Sequence, residues 1–88
     1  MVKRYVKKPI EVYAVKWNGD NRSEIFEFVG DYASFVVSKD SANVQLVIDT
    51  LEGPMRSSVG DYVIKGIKGE FYACKPDVFM LTYDSVIK

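Results

Sequence analysis

Histidine is absent from this sequence, cysteine occurs once and proline three times, and twelve basic side chains are cancelled by twelve acidic ones. Each absence excludes something. Without an imidazole there is no histidine to activate a nucleophile, move protons near neutrality or ligate zinc. A single thiol, Cys74, makes neither an intrachain disulfide nor a structural zinc site, so an oxidising compartment confers nothing. No run approaches the roughly 18 apolar residues of a membrane span, and the first residues lack the apolar centre of a signal peptide. A cytoplasmic chain with no membrane partner is therefore expected. Zero net charge sets up no global field for nucleic acid, and neither Gly-x-Gly-x-x-Gly nor a P-loop occurs. No catalytic residue, metal site or cofactor is expected.

What is present is apolar and aromatic. Hydrophobic residues make up 48% of the 88 and aromatic ones 14%, enough for a real core and incompatible with a disordered chain. The length fits one domain, residues 1–88, which would bury about 60–65% of its unfolded surface and hold a net stability on the order of 5 kcal/mol. The aromatic surplus points to rings facing a ligand or a second subunit, hence to a homo-oligomer, or else to rings that line sheet faces. Charge is unevenly spread. Lys3, Arg4, Lys7 and Lys8 give residues 1–8 a formal +4, leaving eight basic against twelve acidic residues beyond them. Such an arm could touch phosphate, or simply keep an edge strand soluble.

The pattern of turns predicts short strands. Ile10 to Trp17 reads as a strand with apolar groups on both faces, ended by Asn18-Gly-Asp20. Asn21 and Glu24 have capping-box spacing, Ile25, Phe26, Phe28 and Val29 form a helical stripe, and Gly30 stands where a C-terminal glycine belongs. Ser34–Ser38 and Val44–Thr50 follow as strands around the polar turn Lys39–Asn43, then Met55–Val59, Tyr62–Lys65 and Glu70–Cys74 around the turn glycines Gly60, Gly66 and Gly69. Pro76 suits the first position of a short helix or 3₁₀ turn, and Leu81–Tyr83 would be a last strand or the end of that turn. The expected fold is a strand-dominated α+β unit: a small antiparallel curled sheet or partly open barrel of about six short strands, with one short helix packed on it.

Side chains that could bind outnumber those that could catalyse. Cys74 beside Lys75 could be a lowered-pKa thiol or a small buried hydrophobe. Asp61, Glu70 and Asp77 could form a carboxylate pair, or cap turns and pair with Lys65 or Lys75. Tyr13 and Trp17 share a strand face beside Lys16, and Tyr62 and Tyr72 lie in a hairpin with Lys65, Lys75 and Arg56 near in sequence. Together Tyr13, Lys16, Trp17, Arg56, Tyr62, Lys65, Tyr72 and Lys75 make a candidate site for a small anionic, nucleotide-like ligand. The alternative is that the rings fill the core and the lysines are solvated.

Two segments carry a resemblance. Lys8-Pro-Ile-Glu-Val-Tyr-Ala-Val-Lys-Trp-Asn-Gly-Asp20, and Val59-Gly-Asp-Tyr-Val-Ile-Lys-Gly-Ile-Lys-Gly-Glu-Phe-Tyr-Ala-Cys-Lys-Pro-Asp-Val-Phe79 followed by Tyr83, resemble small accessory proteins of tailed bacteriophages and prophages of Gram-positive bacteria. A broader Pro-Gly-Asp-Tyr-Gly group is similar more loosely, with Val59 in place of its proline and Val63 in place of its last glycine. The resemblance implies viral origin, a place in the host cytoplasm and no settled activity. It points to a non-enzymatic binding protein that sequesters a nucleotide-like ligand against host defence, or to an inhibitor of a host protein or assembly component acting through exposed strand edges.

Overall fold

The computed structural model describes residues 1–37, 39 and 44–86. Its elements, in order, are β1 (Tyr13–Lys16), α1 (Arg22–Val29), β2 (Ala33–Val37), β3 (Val44–Thr50), β4 (Gly53–Ser57), β5 (Tyr62–Lys65), β6 (Phe71–Cys74) and α2 (Pro76–Thr82), with a 3₁₀ turn at Gly30–Tyr32. The strand-dominated α+β class is as expected. The strands, however, divide into two antiparallel three-stranded sheets, ordered β1–β5–β6 and β2–β3–β4, and do not close into a barrel. The expected turn at residues 39–43 lies outside the described residues apart from Lys39.

Several boundaries moved for identifiable reasons. The first strand is Tyr13–Lys16 rather than Ile10–Trp17, because its partner β5 ends at Lys65, opposite Tyr13, and Gly66 then opens the hairpin turn. Residues 10–12 have no strand left to pair with. The capping box does not form. Asn21 instead turns its side chain backward, its Nδ2 donating to the Lys16 carbonyl at 2.8 Å and to Glu24 Oε1 at 2.7 Å, while its Oδ1 accepts from the Asn18 N–H at 3.0 Å. The final segment is not a strand: Pro76 opens a true helix with its fixed φ and missing donor at the first turn. Gly60 has φ of +101°, a conformation that side-chain-bearing residues rarely adopt, and it sits at the corner into β5. Gly66 differs: a Cβ there would meet the Glu70 carboxylate, the far end of a flexible side chain that would have to swing aside.

Register and alternation give the first sheet two distinct faces. Val15, Val63 and Ala73 form one row, flanked by Trp17, Asp61 and the Tyr13–Lys65–Phe71 row. This inner face meets Ile25 and Val29 of α1 and Leu46 and Ile48 of β3, with Phe28, Ala33 and Phe35 packed alongside. The Trp17 and Phe35 rings are 5.7 Å apart, and Phe28 meets Phe71 edge-on at 5.5 Å. The stripe on α1 is narrower than expected, since Phe26 remains exposed. The outer face carries the Ala14–Ile64–Tyr72 and Lys16–Tyr62–Cys74 rows. Ile64 is fully buried there without belonging to the main core, two residues along β5 from Tyr62, on which Phe79 of α2 stacks. The short helix that sequence placed on one side is thus matched by a second on the other.

Candidate functional site

The outer face of the first sheet is where polar and aromatic groups converge. Phe79 of α2 stacks on Tyr62, with centroids 3.9 Å apart and planes 8° from parallel, and Tyr83 lies 5.1 Å further along. That stack anchors α2 to the sheet and so fixes Tyr83, whose hydroxyl is 3.4 Å from the hydroxyl of Tyr72. From the other end of the chain, the Lys7 ammonium donates to the Tyr83 hydroxyl at 3.3 Å and sits 4.9 Å from the centre of its ring. The result is a cleft of about 180 Å³ between the segment leading into β1, the β5–β6 hairpin and α2, with Lys7, Lys8, Tyr72, Tyr83 and Glu70 among its lining residues and apolar Ile10, Val12 and Ile67 beside them.

Its electrostatics favour anions over further cations only in part. Two lysines and two tyrosines line the cleft, one phenol proton being spent in the Tyr72–Tyr83 hydrogen bond, and Glu70 opposes them. Glu70 is engaged, however: its Oε1 accepts the Lys68 N–H at 3.0 Å, inside the hairpin turn. Burial pushes the Tyr72 hydroxyl well above the usual tyrosine range, helped by its hydrogen bond to Tyr83 and by the nearby Tyr83, Glu70 and Cys74. Tyr72 therefore stays a neutral donor rather than a phenolate. The Cys74 thiol, on the same face, is likewise raised, first by burial and then by the Asp61 and Asp77 carboxylates, with Lys7 opposing them. It is not a lowered-pKa nucleophile.

A second polar cluster is structural. Asp61 is 3% exposed; its Oδ2 accepts the Ser58 N–H at 2.9 Å and pairs with the Lys75 ammonium at 3.1 Å. Around it, the Trp17 N–H donates to the Asp61 carbonyl at 2.8 Å and the Gly60 N–H to the Trp17 carbonyl at 2.6 Å. Asp61 thus ties the corner before β5 to the end of β1 and the start of α2. This is the turn-and-lysine role weighed for these carboxylates, here between Asp61 and Lys75.

The eight residues singled out from sequence are not gathered in one place. Tyr72 lines the cleft, and Tyr62 supports it through Phe79. Lys16 lies on the same outer face, in the Tyr62 row. Trp17 is no surface ring: it does share a face with Tyr13, but that face turns inward and Trp17 is fully buried against Phe35, while Tyr13 stays exposed at the far end. Lys65 belongs to the Tyr13 row, its ammonium 6.0 Å from the Phe71 ring, and Lys75 is committed to Asp61. Arg56 is on β4, in the other sheet, opposite Val47. Sequence reasoning missed Lys7, Lys8 and Tyr83 as partners. The two lysines read as part of an arm that could touch phosphate or stay solvated, and Tyr83 is 76 residues from Lys7, so no local spacing links them.

Among the described residues, no group of three His, Cys, Asp or Glu side chains could hold a metal, and no helix is long and apolar enough to cross a membrane. No family model, no curated protein and no solved structure matches the chain. What is defined is the class: a small strand-dominated α+β protein whose first sheet is covered on both faces.

Proposed function

We propose that this is a non-enzymatic binding protein of phage or prophage origin that captures a small anionic ligand in the cleft beneath Lys7 and Lys8, within the host cytoplasm and against host defence. The observation that carries the reading is the convergence of two lysines and two tyrosine hydroxyls on one cleft, with the Lys7 ammonium positioned over the Tyr83 ring. Ammonium and phenol groups are donors to phosphate or carboxylate oxygens, and the apolar wall suits whatever carries them. Size narrows the reading. Fully enclosed small-molecule pockets run to about 300 Å³ and above, whereas this cleft is about 180 Å³. It has room for the anionic end of a nucleotide-like ligand, with the remainder lying outside. The origin rests on the resemblance of the Lys8-to-Asp20 and Val59-to-Phe79 segments and Tyr83.

Thermal unfolding in the presence of inorganic phosphate and of mono-, cyclic and oligonucleotides tests this. A ligand at 100 times its dissociation constant adds about 2.7 kcal/mol to folded stability, and K7A/K8A would remove that shift while leaving the unliganded midpoint nearly unchanged. A flat response across the panel would remove the reading.

One observation favours a second reading, inhibition of a host protein or assembly component. β1 is paired on one side only, so the Ala14 backbone and the Lys16 N–H face outward, while the Lys16 carbonyl is already taken by Asn21. An extended partner strand could add to this edge. A bound host protein recovered in one-to-one ratio, and lost on Ala14→Pro, would support it. Retention of that protein by A14P would count against it.

A further inference from the structure

A second groove adjoins the cleft just described across the β5–β6 hairpin, with Glu70 lining both. It lies between the turn joining β3 to β4 and the β5–β6 hairpin, encloses about 320 Å³ and is lined by Tyr32, Asp49, Leu51, Lys68, Glu70 and Phe71 among others. Its apolar walls are unfinished: Leu51 is 78% exposed and Tyr32 56%, although Phe71 at the floor is buried. Its charge is acidic. Asp49 and Glu70 line it, Asp31 and Glu52 adjoin Tyr32 and Leu51 along the chain, and Lys68 is the basic lining residue.

The complementary piece is in the same sequence. Residues 2–6, Val2-Lys-Arg-Tyr-Val6, pair two cationic side chains with three apolar ones. In this structure they touch almost nothing: Val2, Tyr5 and Val6 are 87–98% exposed. Apolar side chains held in water gain free energy from any apolar wall that removes them, at about 25 cal/mol per Å². An acidic, half-lined groove provides that wall and a charge match to Lys3 and Arg4.

We propose that residues 2–6 of one copy dock in this groove of a second copy, giving an arm-exchanged homo-oligomer in which Tyr5 and Val6 cover Tyr32, Leu51 and Phe71 while Lys3 and Arg4 face Asp49 and its acidic neighbours. The arm is held at its base, since Lys7 is anchored on Tyr83, and five extended residues reach about 17 Å beyond that point. Anchoring at Lys7 lowers the entropy lost when the arm docks.

Sedimentation velocity on the full chain at tens of micromolar, in low salt, reads the association directly. An oligomer is expected that dissociates as salt rises through the range where the screening length falls from about 30 Å to about 3 Å. Deleting residues 2–6, or reversing the groove charge with Asp49→Arg, should each yield a monomer with an unchanged far-ultraviolet circular dichroism spectrum. Mixing the two variants should restore a heterodimer, because the intact arm of the D49R chain meets the intact groove of the deleted one. A monomeric full chain would overturn the proposal, as would docking of the arm on its own chain, which leaves no heterodimer in the mixture. An oligomer that persists after deletion of residues 2–6 would overturn it equally. None of these variants touches Lys7, Lys8 or Tyr83, so loss of association leaves ligand capture intact and the two ideas fail separately.

Discussion

The two faces of the β1–β5–β6 sheet use the same strands for opposite purposes. On the inner face, Trp17, Val63 and Phe71 are buried against α1 and the second sheet. On the outer face, only Ile64 is fully buried, and around it stand Tyr62, Tyr72, Cys74, Phe79 and Tyr83, with the Tyr83 hydroxyl meeting that of Tyr72 and the Lys7 ammonium. A period-two pattern assigns alternate residues to opposite faces but says nothing about which element will cover each. Here α1 and β3 supply aliphatic cover, while Phe79 of α2 and the Tyr83 that follows it supply aromatic cover with a hydroxyl. The difference teaches that stability resides mainly on one face, which leaves the other free for the recognition proposed above.

That division can be broken or sharpened by substitution. The largest effect belongs to the inner face: Trp17→Ala should cost about 3–5 kcal/mol, most of what a domain of this size has, and chemical denaturation would show a chain at the edge of unfolding. Trp17→Phe should cost much less, because the indole N–H is buried without a hydrogen-bond partner and its removal relieves a desolvation penalty. Next comes the corner. Asp61→Ala removes a buried acceptor from the Ser58 N–H and the Lys75 ammonium and should cost about 1.5–3 kcal/mol. Lys75→Met should cost less than Asp61→Ala, since the ammonium is 60% exposed and largely screened. Equal costs at Asp61 and Lys75, measured in urea, would show the pair to be the stabilising element rather than the turn hydrogen bond.

The outer face should give smaller numbers. Phe79→Ala loses the stack on Tyr62, worth about 0.5–1.5 kcal/mol beyond its area, and should weaken ligand capture more visibly than it lowers the melting temperature. A penalty matching that of W17A would erase the proposed separation of roles. The smallest effect is with pH. Tyr72 keeps its proton to higher pH in the folded chain than in the unfolded one. Above about pH 10 the unfolded chain therefore releases a proton that the folded chain retains, and stability declines as pH rises. Tyr72→Phe should flatten that decline between pH 9 and 11, and a slope unchanged by Y72F would place the titrating group elsewhere.

How much of this was legible in the sequence follows from the range of the interactions. Val44–Thr50 and Tyr62–Lys65 were bounded correctly, because local alternation and flanking turn residues set their limits. Gly30 ends α1 with a positive φ, as its position implied. Tertiary pairing decided the rest. Ile10 and Val12 have strand-like residues but no partner opposite them, and Asn21 chose the Lys16 carbonyl over the helix it precedes. The candidate site failed for a related reason. Tyr13 and Trp17 do share a face, yet whether a face looks to solvent depends on α1 and β3, which arrive from elsewhere in the chain. Lys7 and Tyr83 meet only because α2 folds back over the sheet, and nothing in the spacing of either could announce it.

The burial of Trp17 has a practical consequence. It is the one tryptophan in the chain, and it sits in the dry interior rather than at the Lys7–Tyr83 cleft. Its intrinsic emission is an optical gauge of core integrity, blue-shifted while the two sheets stay packed and moving to longer wavelength when water enters. Events at Tyr72 and Tyr83 leave that signal nearly silent, so a single spectrum distinguishes a chain altered only at that cleft from one that has lost its fold.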